Sequence, residues 1–209
     1  MNSKVTHINV GNLAENCWFL ANEDTKEAVV IDPGAEPDRI RAGAEKHGWK
    51  FTAILLTHGH IVHMGACESL RTELGVKVYA LTEEEDLLLD AKKNLSVFIE
   101  RKVVTFEPDE LLRDGQELTL AGMKIQVIHT PGHTPGGCSY YVADAGCVFS
   151  GDTLFAESVG RSDFPGGSTS ALVRAVKEKL FLLPDDTLVC PGHGEETTIG
   201  HEKKYNSFV

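Results

Sequence analysis

Five apolar segments of this 209-residue chain each end in a short turn that carries a histidine or an aspartate. Apolar, largely β-branched residues followed by a Gly- or Thr-containing turn are typical of a buried strand and the loop after it. Side chains placed just beyond strand ends are how a sheet protein builds a site on rigid elements. The pattern therefore predicts sheets whose strand ends converge on one site. The five segments are residues 30–34, 55–58, 127–133, 148–152 and 189–193.

The chain alternates short apolar runs with amphipathic stretches. The runs predict strands, and the stretches, bounded by Pro, Gly or acidic residues, predict helices. This mixture favours sheets covered by helices over an all-β barrel, and so an α/β (α+β) fold. Strands are predicted at residues 28–31, 53–56, 77–81, 124–128, 138–142, 147–149 and 187–190, and helices at 37–47, 63–74, 83–98 and 170–182.

Length and composition are those of one compact domain, which we expect to cover residues 1–209. The hydrophobic share of 42% and the charged share of 24% are ordinary for a globular protein. No apolar run reaches the roughly 18 residues of a membrane span, and the first ten residues lack the apolar core of a signal peptide. We therefore expect a cytoplasmic protein that does not associate with membranes.

The net charge limits the classes of binding partner, and the cysteine content indicates the redox compartment of the protein. The formal net charge is −11 and no basic cluster is present, which argues against a nucleic-acid partner. The five cysteines are an odd number without a CxxC pair, so reduced thiols in a cytosolic protein are expected rather than disulfides. Neither feature indicates an oligomeric state.

The strongest local signal is residues 57–63, which hold three histidines, His58, His60 and His63. In an extended turn, residues two apart point to the same side, so His58 and His60 can share one ion. His63 is expected at the start of the following helix, facing the same cavity. Because imidazole binds zinc, iron and related metals, this segment predicts a metal site.

Three further residues extend the donor set. His133 and His193 each follow a Pro–Gly pair, and Asp152 follows a Ser–Gly pair. Five imidazoles and one carboxylate exceed the needs of one tetrahedral zinc, and they suffice for two ions if one ligand bridges. A lone histidine is more often an ordinary core or surface residue, but five in turns after strands make coincidence a poor explanation. The other four histidines are assigned no role.

In order and spacing, these motifs resemble the ligand motifs of the metallo-β-lactamase superfamily. The resemblance covers nearly the whole chain, including residues 12–16 and 30–34. Residues 160–163 and 202–206 are similar to the small bacterial branch related to glyoxalase II, the hydroxyacylglutathione hydrolases. The resemblance implies a four-layer αββα sandwich with the metals at one sheet edge.

The resemblance also implies a role for each donor. Asp32 would support the site by hydrogen bonding rather than by ligation. The implied cofactor is zinc, as one or two ions, with iron or manganese as alternatives. By position, the first metal site is His58, His60 and His133, the second includes His63 and His193, and Asp152 bridges the two ions.

Val62 departs from the family pattern. The family's HxHxDH motif has an aspartate at this position, which ligates the second metal and helps to orient the attacking hydroxide. A valine has no donor atom, so the resemblance implies a weakened second site. Three readings are open: an engineered or inactivated variant, a natural enzyme with one tight and one weak metal, or a degenerate relative. Six intact ligands favour a retained hydrolase architecture.

The implied reaction is attack of metal-bound hydroxide on a small thioester or ester, with S-lactoylglutathione as the leading candidate substrate. Arg161 lies where glyoxalase II relatives have a basic residue near the substrate, and Phe164 could line the site. An exposed surface arginine and a core phenylalanine are the competing readings. Two alternatives for the whole chain stay open: a mononuclear iron persulfide dioxygenase and a non-catalytic relative.

Overall fold

A computed structural model describes residues 2–209, in which the strands form two six-stranded sheets and one short hairpin. The first half of the chain builds the first sheet, and the second half builds the second sheet and the hairpin. The first sheet contains β1 (Ser3–Val10), β2 (Glu15–Asn22), β3 (Glu27–Ile31), β4 (Lys50–Leu55), β5 (Lys77–Leu81) and β6 (Glu110–Leu112). The later strands are β7 (Glu117–Leu120), β8 (Met123–His129), β9 (Cys138–Val142), β10 (Cys147–Gly151), the hairpin strands β11 (Leu154–Phe155) and β12 (Ser158–Val159), β13 (Leu188–Pro191) and β14 (Thr197–Thr198).

Parallel pairs in both sheets bring the ends of the predicted segments to one edge. In the first sheet, β1 to β3 are antiparallel, and β3 to β6 are parallel neighbours. In the second sheet, β7 to β10 are antiparallel, while β13 lies parallel to β10 and antiparallel to β14. Strands that run in one direction end at the same sheet edge, so the turns after β3 and β4 are neighbours, as are those after β8, β10 and β13.

Seven α-helices lie within residues 2–209. They include the α-helix predicted from the proline at position 37, which ends two residues earlier than expected, and a C-terminal helix that was not predicted. The helices are α1 (Pro37–Glu45), α2 (Ile61–Met64), α3 (Cys67–Leu74), α4 (Glu85–Leu88), α5 (Ser96–Ile99), α6 (Thr169–Glu178) and α7 (Ile199–Tyr205).

The helices cover the outer faces of the two sheets. Buried side chains from both sheets, such as Ile31 and Met123, form a core between them. A second core, which includes Ile40 and Leu70, packs α1 and α3 against the first sheet. A third core, which includes Val176, packs α6 against the second sheet. The predicted α/β class and four-layer αββα sandwich are therefore confirmed.

All seven predicted strands are present, but the prediction missed the other seven strands, of which β1 and β2 are the longest. Both strands contain polar residues that break the apolar pattern. β1 is half-buried over most of its length, and β2 buries all eight residues, including Glu15 and Asn16. A buried polar residue gives no hydrophobic signal, and its burial depends on partners that are distant in the chain.

The predicted helix over residues 83–98 is wrong, because only α4 and α5 form there. Between them, Asp90 accepts from the Lys92 amide, and the Asn94 side chain donates to the carbonyls of Leu88 and Val104. Such side-chain bonds to the backbone compete with the helical ladder. Polar residues in the middle of this segment therefore convert an amphipathic pattern into two short helices.

The predicted helix over residues 63–74 is divided into α2 and α3. The Ala66 amide donates to the Pro33 carbonyl at 2.9 Å instead of continuing a single helix.

All five cysteines are buried, and none of them forms a disulfide within the described residues. No helix in residues 2–209 has both the length and the apolar character needed to cross a membrane.

Candidate metal centre

The predicted donors meet at the shared edge of the two sheets. Residues 57–60 form the turn between β4 and α2, and His63 lies within α2. Asp152 directly follows β10, and His193 follows β13. His133 reaches the same place from the turn between β8 and β9. The structure thus brings all six predicted donors together, although they are spread over more than 130 positions of the chain.

Two clusters that together use all six predicted donors can each hold a cation, and a third close group, Asp32, His58 and His63, shares two of its members with them. In each cluster, one donor atom per residue lies within 4.8 Å of the others. The other four histidines lie outside the donor clusters found in residues 2–209. We name the clusters the first donor group, which is His58, His60 and His133, and the second donor group, which is His63, Asp152 and His193.

Asp152 lies between the two donor groups. Its Oδ1 is 3.4 Å from His63 Nε2 in the second donor group. Its Oδ2 is 3.4 Å from His133 Nε2 in the first donor group and 3.9 Å from His193 Nε2. One carboxylate therefore faces members of both clusters, as a bridging ligand would.

The donor set fits a divalent cation. Three inward-facing atoms, His58 Nε2, His63 Nε2 and Asp152 Oδ1, are buried without a hydrogen-bond partner among residues 2–209. A buried polar atom without a partner costs free energy, so native proteins rarely keep several in one place. A cation ligated by these atoms would satisfy them.

Burial and mutual repulsion keep most of the imidazoles neutral, which is the form that ligates metals. Burial, reinforced by the neighbouring histidines, lowers the pKa of His58 far below its ordinary value and that of His60 to about 3. Burial likewise lowers the pKa of His133 and His193, although Asp152 opposes the shift.

The pKa values of His63 and Asp152 shift in opposite directions because each group lies against the charge of the other. Burial acts to lower the pKa of His63, but Asp152 and Asp32 together raise it well above the ordinary value. Burial acts to raise the pKa of Asp152, but His63 and the other histidines lower it. Asp152 therefore stays ionised and available to a cation.

Asp32 supports both donor groups by hydrogen bonding. Its Oδ1 accepts from the Thr57 amide at 2.7 Å, and its Oδ2 accepts from the Thr57 hydroxyl. Asp32 Oδ2 also lies 3.0 Å from His63 Nδ1, which turns His63 Nε2 toward Asp152. Thr57 Oγ1 lies 3.1 Å from His58 Nδ1. Asp32 therefore contacts His63 directly and reaches His58 through the Thr57 hydroxyl.

Glu84 is a buried residue of the site that the sequence analysis missed. Its Oε1 accepts from the Gly59 amide and its Oε2 from the Gly136 amide, both at 2.8 Å. Gly59 lies between His58 and His60, and Gly136 lies three residues after His133. One carboxylate therefore joins the two loops of the first donor group, a contact that we call the Glu84 bridge. Burial raises the pKa of Glu84 to about 7.

The loop that carries His193 is held by the start of β2. The Asn16 side-chain amide donates to the carbonyls of Pro191 and Gly194, both at 3.0 Å. The indole of Trp18 donates to the same Pro191 carbonyl at 2.9 Å. These bonds lie on both sides of His193 in the chain. The only sequence signal for them is that Asn16 belongs to the segment 12–16, which takes part in the family resemblance.

Val62 occupies the second position of α2, between His60 and His63. Its side chain is half-buried and packs against the core under the first sheet. Its carbonyl lies so close to Gly34 that a Cβ there would be 1.7 Å from it. The residue is therefore anchored beside the second donor group but offers it no donor atom.

Arg161 and Phe164 border the first donor group. The Phe164 ring lies 5.4 Å from the His60 ring, and the Arg161 guanidinium lies over Phe164 at 4.0 Å. The guanidinium is also paired through two 2.7 Å hydrogen bonds with Asp163. The Arg161 carbonyl lies 2.7 Å from His133 Nδ1. Arg161 thus has a backbone contact to the site that its predicted substrate role did not include.

Comparison with known proteins decides the family. The model of the metallo-β-lactamase superfamily matches residues 10–193. The chain belongs to the metallo-β-lactamase superfamily. This membership places it in a superfamily of metal-binding hydrolases, in agreement with the histidine cluster.

Two relatives in this superfamily match most of the chain. The protein named probable metallo-hydrolase YqgX of Bacillus subtilis is 39% identical over 96% of this chain and 94% of its own length. Hydroxyacylglutathione hydrolase GloC of Haemophilus influenzae is 35% identical over 93% of this chain and 92% of its own length. GloC fits the glyoxalase II-like branch expected from the motifs.

Solved structures of the superfamily superpose on almost the whole chain. BLEG-1 B3 metallo-β-lactamase is 38% identical, with a TM-score of 0.93 over 98% of this chain and 99% of that one. TTHA1623 in a di-iron-bound form is 36% identical, with a TM-score of 0.86 over 98% and 100%. ETHE1 from Myxococcus xanthus is 30% identical, with a TM-score of 0.78 over 99% and 84%.

Proposed function

We propose that this chain is a metal-dependent hydrolase of small thioesters, with S-lactoylglutathione as the first substrate to test. The observation that carries the proposal is the pair of donor groups that share Asp152 and keep buried atoms without partners among the described residues. The similarity to GloC, whose name is hydroxyacylglutathione hydrolase, supports the substrate class.

The two donor groups have distinct parts in this proposal. When bound, divalent cations supply an activated water and a positive charge beside the substrate carbonyl. Neutral imidazoles hold the cations without cancelling their charge. We assign one cation to His58, His60 and His133 and a weaker one to His63 and His193, with Asp152 between them.

The residues around the donors orient the site and border its opening. Asp32 fixes the ring of His63 so that Nε2 faces inward, and the Arg161 carbonyl does the same for His133. Phe164 lies against His60 and offers an apolar wall to a substrate. We propose that Arg161 contacts a substrate carboxylate by exchanging its bond to Asp163, since a guanidinium binds either carboxylate in the same forked geometry.

Zinc is the metal that we propose first, with iron or manganese as alternatives. Histidine-rich sites with one carboxylate bind all of these metals, so the donor types do not choose among them. The di-iron-bound form of TTHA1623 supports iron as the leading alternative.

The test is metal analysis combined with release of free thiol from S-lactoylglutathione. We expect bound metal, thiol release that is abolished by chelator, and recovery when zinc or iron is returned. A chain that binds metal but hydrolyses no thioester, even as the Val62→Asp variant, would contradict the proposal and favour a non-catalytic role. The substrate is expected to be a small molecule, in line with the acidic charge of −11.

A mononuclear iron persulfide dioxygenase is the second candidate. The loss of a donor at Val62 leaves the first donor group complete, as a one-metal enzyme requires, and the similarity to ETHE1 supports this alternative. Oxygen uptake on addition of a persulfide, with one iron per chain and no thioester hydrolysis, would favour it over the hydrolase.

A further inference from the structure

Glu15, the first residue of β2, is a buried carboxylate without a hydrogen bond. It is 1% exposed, and neither of its oxygens has a partner among residues 2–209. The Gly34 amide interacts with it but does not reach hydrogen-bonding geometry. Among the other buried atoms without a partner, His63 Nε2 and Asp152 Oδ1 belong to the second donor group and His58 Nε2 to the first. Glu15 thus shares the unsatisfied character of the donors without being one of the expected ligands.

The carboxylate of Glu15 lies behind His63. Its Oε1 is 3.7 Å from His63 Nδ1, and Asp32 Oδ2 is 3.0 Å from the same nitrogen. The opposite nitrogen of the ring, Nε2, faces Asp152 at 3.4 Å. Two carboxylates therefore flank the outer side of the imidazole that a second cation would use on its inner side.

Glu15 is also next to the position that lacks a donor. A Cβ added to Gly34 would lie 1.7 Å from the Val62 carbonyl oxygen and 2.9 Å from Glu15 Oε2. The same glycine therefore separates the Val62 backbone from the Glu15 carboxylate. The Val62 backbone and the Glu15 carboxylate therefore both lie close to Gly34.

Burial of an acid in this way is unfavourable unless a positive charge is close. A carboxylate removed from water without hydrogen bonds loses its hydration, and an apolar residue of similar size is the more stable occupant. Burial raises the pKa of Glu15 well above its ordinary value; His63 acts to lower it, whereas the nearby carboxylates of Asp32 and Asp152 raise it further. A cation on the far side of His63 provides the compensation that the protein itself does not.

We propose that Glu15 is a positioning residue of the second cation site, where its carboxylate, acting through His63, supplies the negative charge that Val62 lacks. With an aspartate at position 62, Asp152 and that residue would bring two carboxylates to the second cation. In this chain, the second carboxylate is that of Glu15, which lies on the outer, Nδ1 side of the His63 imidazole. The inference rests on the proposed two-cation centre and adds a residue outside the expected ligand set.

The experiment compares three variants of the full chain by zinc stoichiometry and by zinc competition against a chelator. Glu15→Gln keeps the shape but removes the charge, and Glu15→Asp keeps the charge. Glu202→Gln is the matched control, because Glu202 is an equally buried glutamate that is hydrogen-bonded to Thr197, Glu157 and Asn206. We expect Glu15→Gln to weaken the second zinc about 10–100-fold, as loss of a supporting partner does, with the first zinc unchanged.

The charge-retaining variant separates positioning from packing. Glu15→Asp is expected to bind the second zinc more tightly than Glu15→Gln, whereas a residue that only fills space would show the opposite order. In the Val62→Asp background, the effect of Glu15→Gln is expected to shrink, because both residues supply charge to the same cation.

The inference is overturned if Glu15→Gln binds the second zinc as the parent does, or if the parent binds one zinc only. Zinc affinity is measured without substrate, so these results are independent of thioester hydrolysis. A chain that hydrolyses no thioester but loses its second zinc in Glu15→Gln would refute the proposed reaction and retain the role of Glu15. Melting temperatures of all variants identify any loss of zinc that follows from unfolding.

Discussion

The two donor groups lie side by side, but they are held in different ways. In the first group, the Glu84 bridge joins the loops of His60 and His133, and Asp32 orients His58 through Thr57. In the second group, His193 is the most exposed donor, and its loop depends on neutral bonds from Asn16. The first group is therefore a rigid, buried site, whereas the second is partly open and lacks an acid at Val62.

This difference indicates that a two-cation centre can lose strength in one half without losing the other. Hydrogen bonds from backbone amides to an ionised carboxylate are roughly twice as strong as neutral ones, so above about pH 7 Glu84 holds its two loops more firmly than Asn16 holds the loop of His193. Substitutions in the two halves should accordingly have separable effects on the two cations.

The largest expected effect is that of His133→Ala. Removal of one of three ligands should weaken the first cation by at least about 100-fold, since loss of a supporting partner alone costs about 10–100-fold. Equilibrium dialysis with zinc would measure it. His201→Ala serves as control, because His201 pairs with Glu157 outside the donor groups. Parent-like first-cation affinity in His133→Ala would disprove the assignment of the first donor group.

Val62→Asp should strengthen the second cation and raise turnover together, by about 10–100-fold. The expected reason is a new anionic donor at the position beside His63. Val62→Asn is the matched control, because asparagine has the shape of aspartate without its charge. Unchanged occupancy and rate in Val62→Asp would show that position 62 does not face the second cation.

The Glu84 bridge should make the stability of the cation-free protein depend on pH. Because burial raises the pKa of Glu84 to about 7, the folded state holds a proton that the unfolded state has released above about pH 4.5. The contribution is therefore present at pH 5 and is lost as the pH rises through 7. Relative to Glu84→Gln, the parent should lose about 2 kcal/mol of unfolding free energy between pH 5 and 7.

Urea unfolding at several pH values would measure this difference. Glu84→Gln is the reference because it cannot titrate, and the histidines contribute equally to both proteins. If the difference in unfolding free energy between the parent and Glu84→Gln stayed constant from pH 5 to 7, the raised pKa of Glu84 would be contradicted.

The smallest expected effect is that of Asn16→Ala. The substitution removes two hydrogen bonds around His193, each worth about 1 kcal/mol. We expect the second cation to weaken by less than about tenfold, with the first unaffected. Asn22→Ala is the control, since Asn22 is a buried asparagine at the other end of β2 that binds the Ala121 carbonyl. If Asn16→Ala lowered the affinity for the first cation more than that for the second, the assignment of Asn16 to the second donor group would be contradicted.

Much of the fold and the donor set was accessible from the sequence. The turns after β3, β4, β8, β10 and β13 carry their donors at local positions that a strand pattern predicts. The helix over 83–98 was predicted wrongly, because Asp90 and Asn94 bind backbone groups in a way that periodicity does not express.

Apart from Asp32, the residues that contact the donors and their loops could not be found in this way. Glu84 resembles an ordinary acid at a helix start, and Glu15 resembles a polar residue in a loop. Their importance comes from contacts with Gly59, Gly136 and His63, which lie 25 or more positions away. No local pattern encodes a contact between distant segments.

The sequence by itself determined the αββα class and the family, and it singled out six candidate donors, because donors that follow strand ends leave a local pattern of types and spacings. It also located the gap at Val62. Only the tertiary structure decided how firmly each half is held, because buried carboxylates act on residues that folding brings together. The placement of Glu84 between two loops and of Glu15 behind His63 is a property of the packed chain.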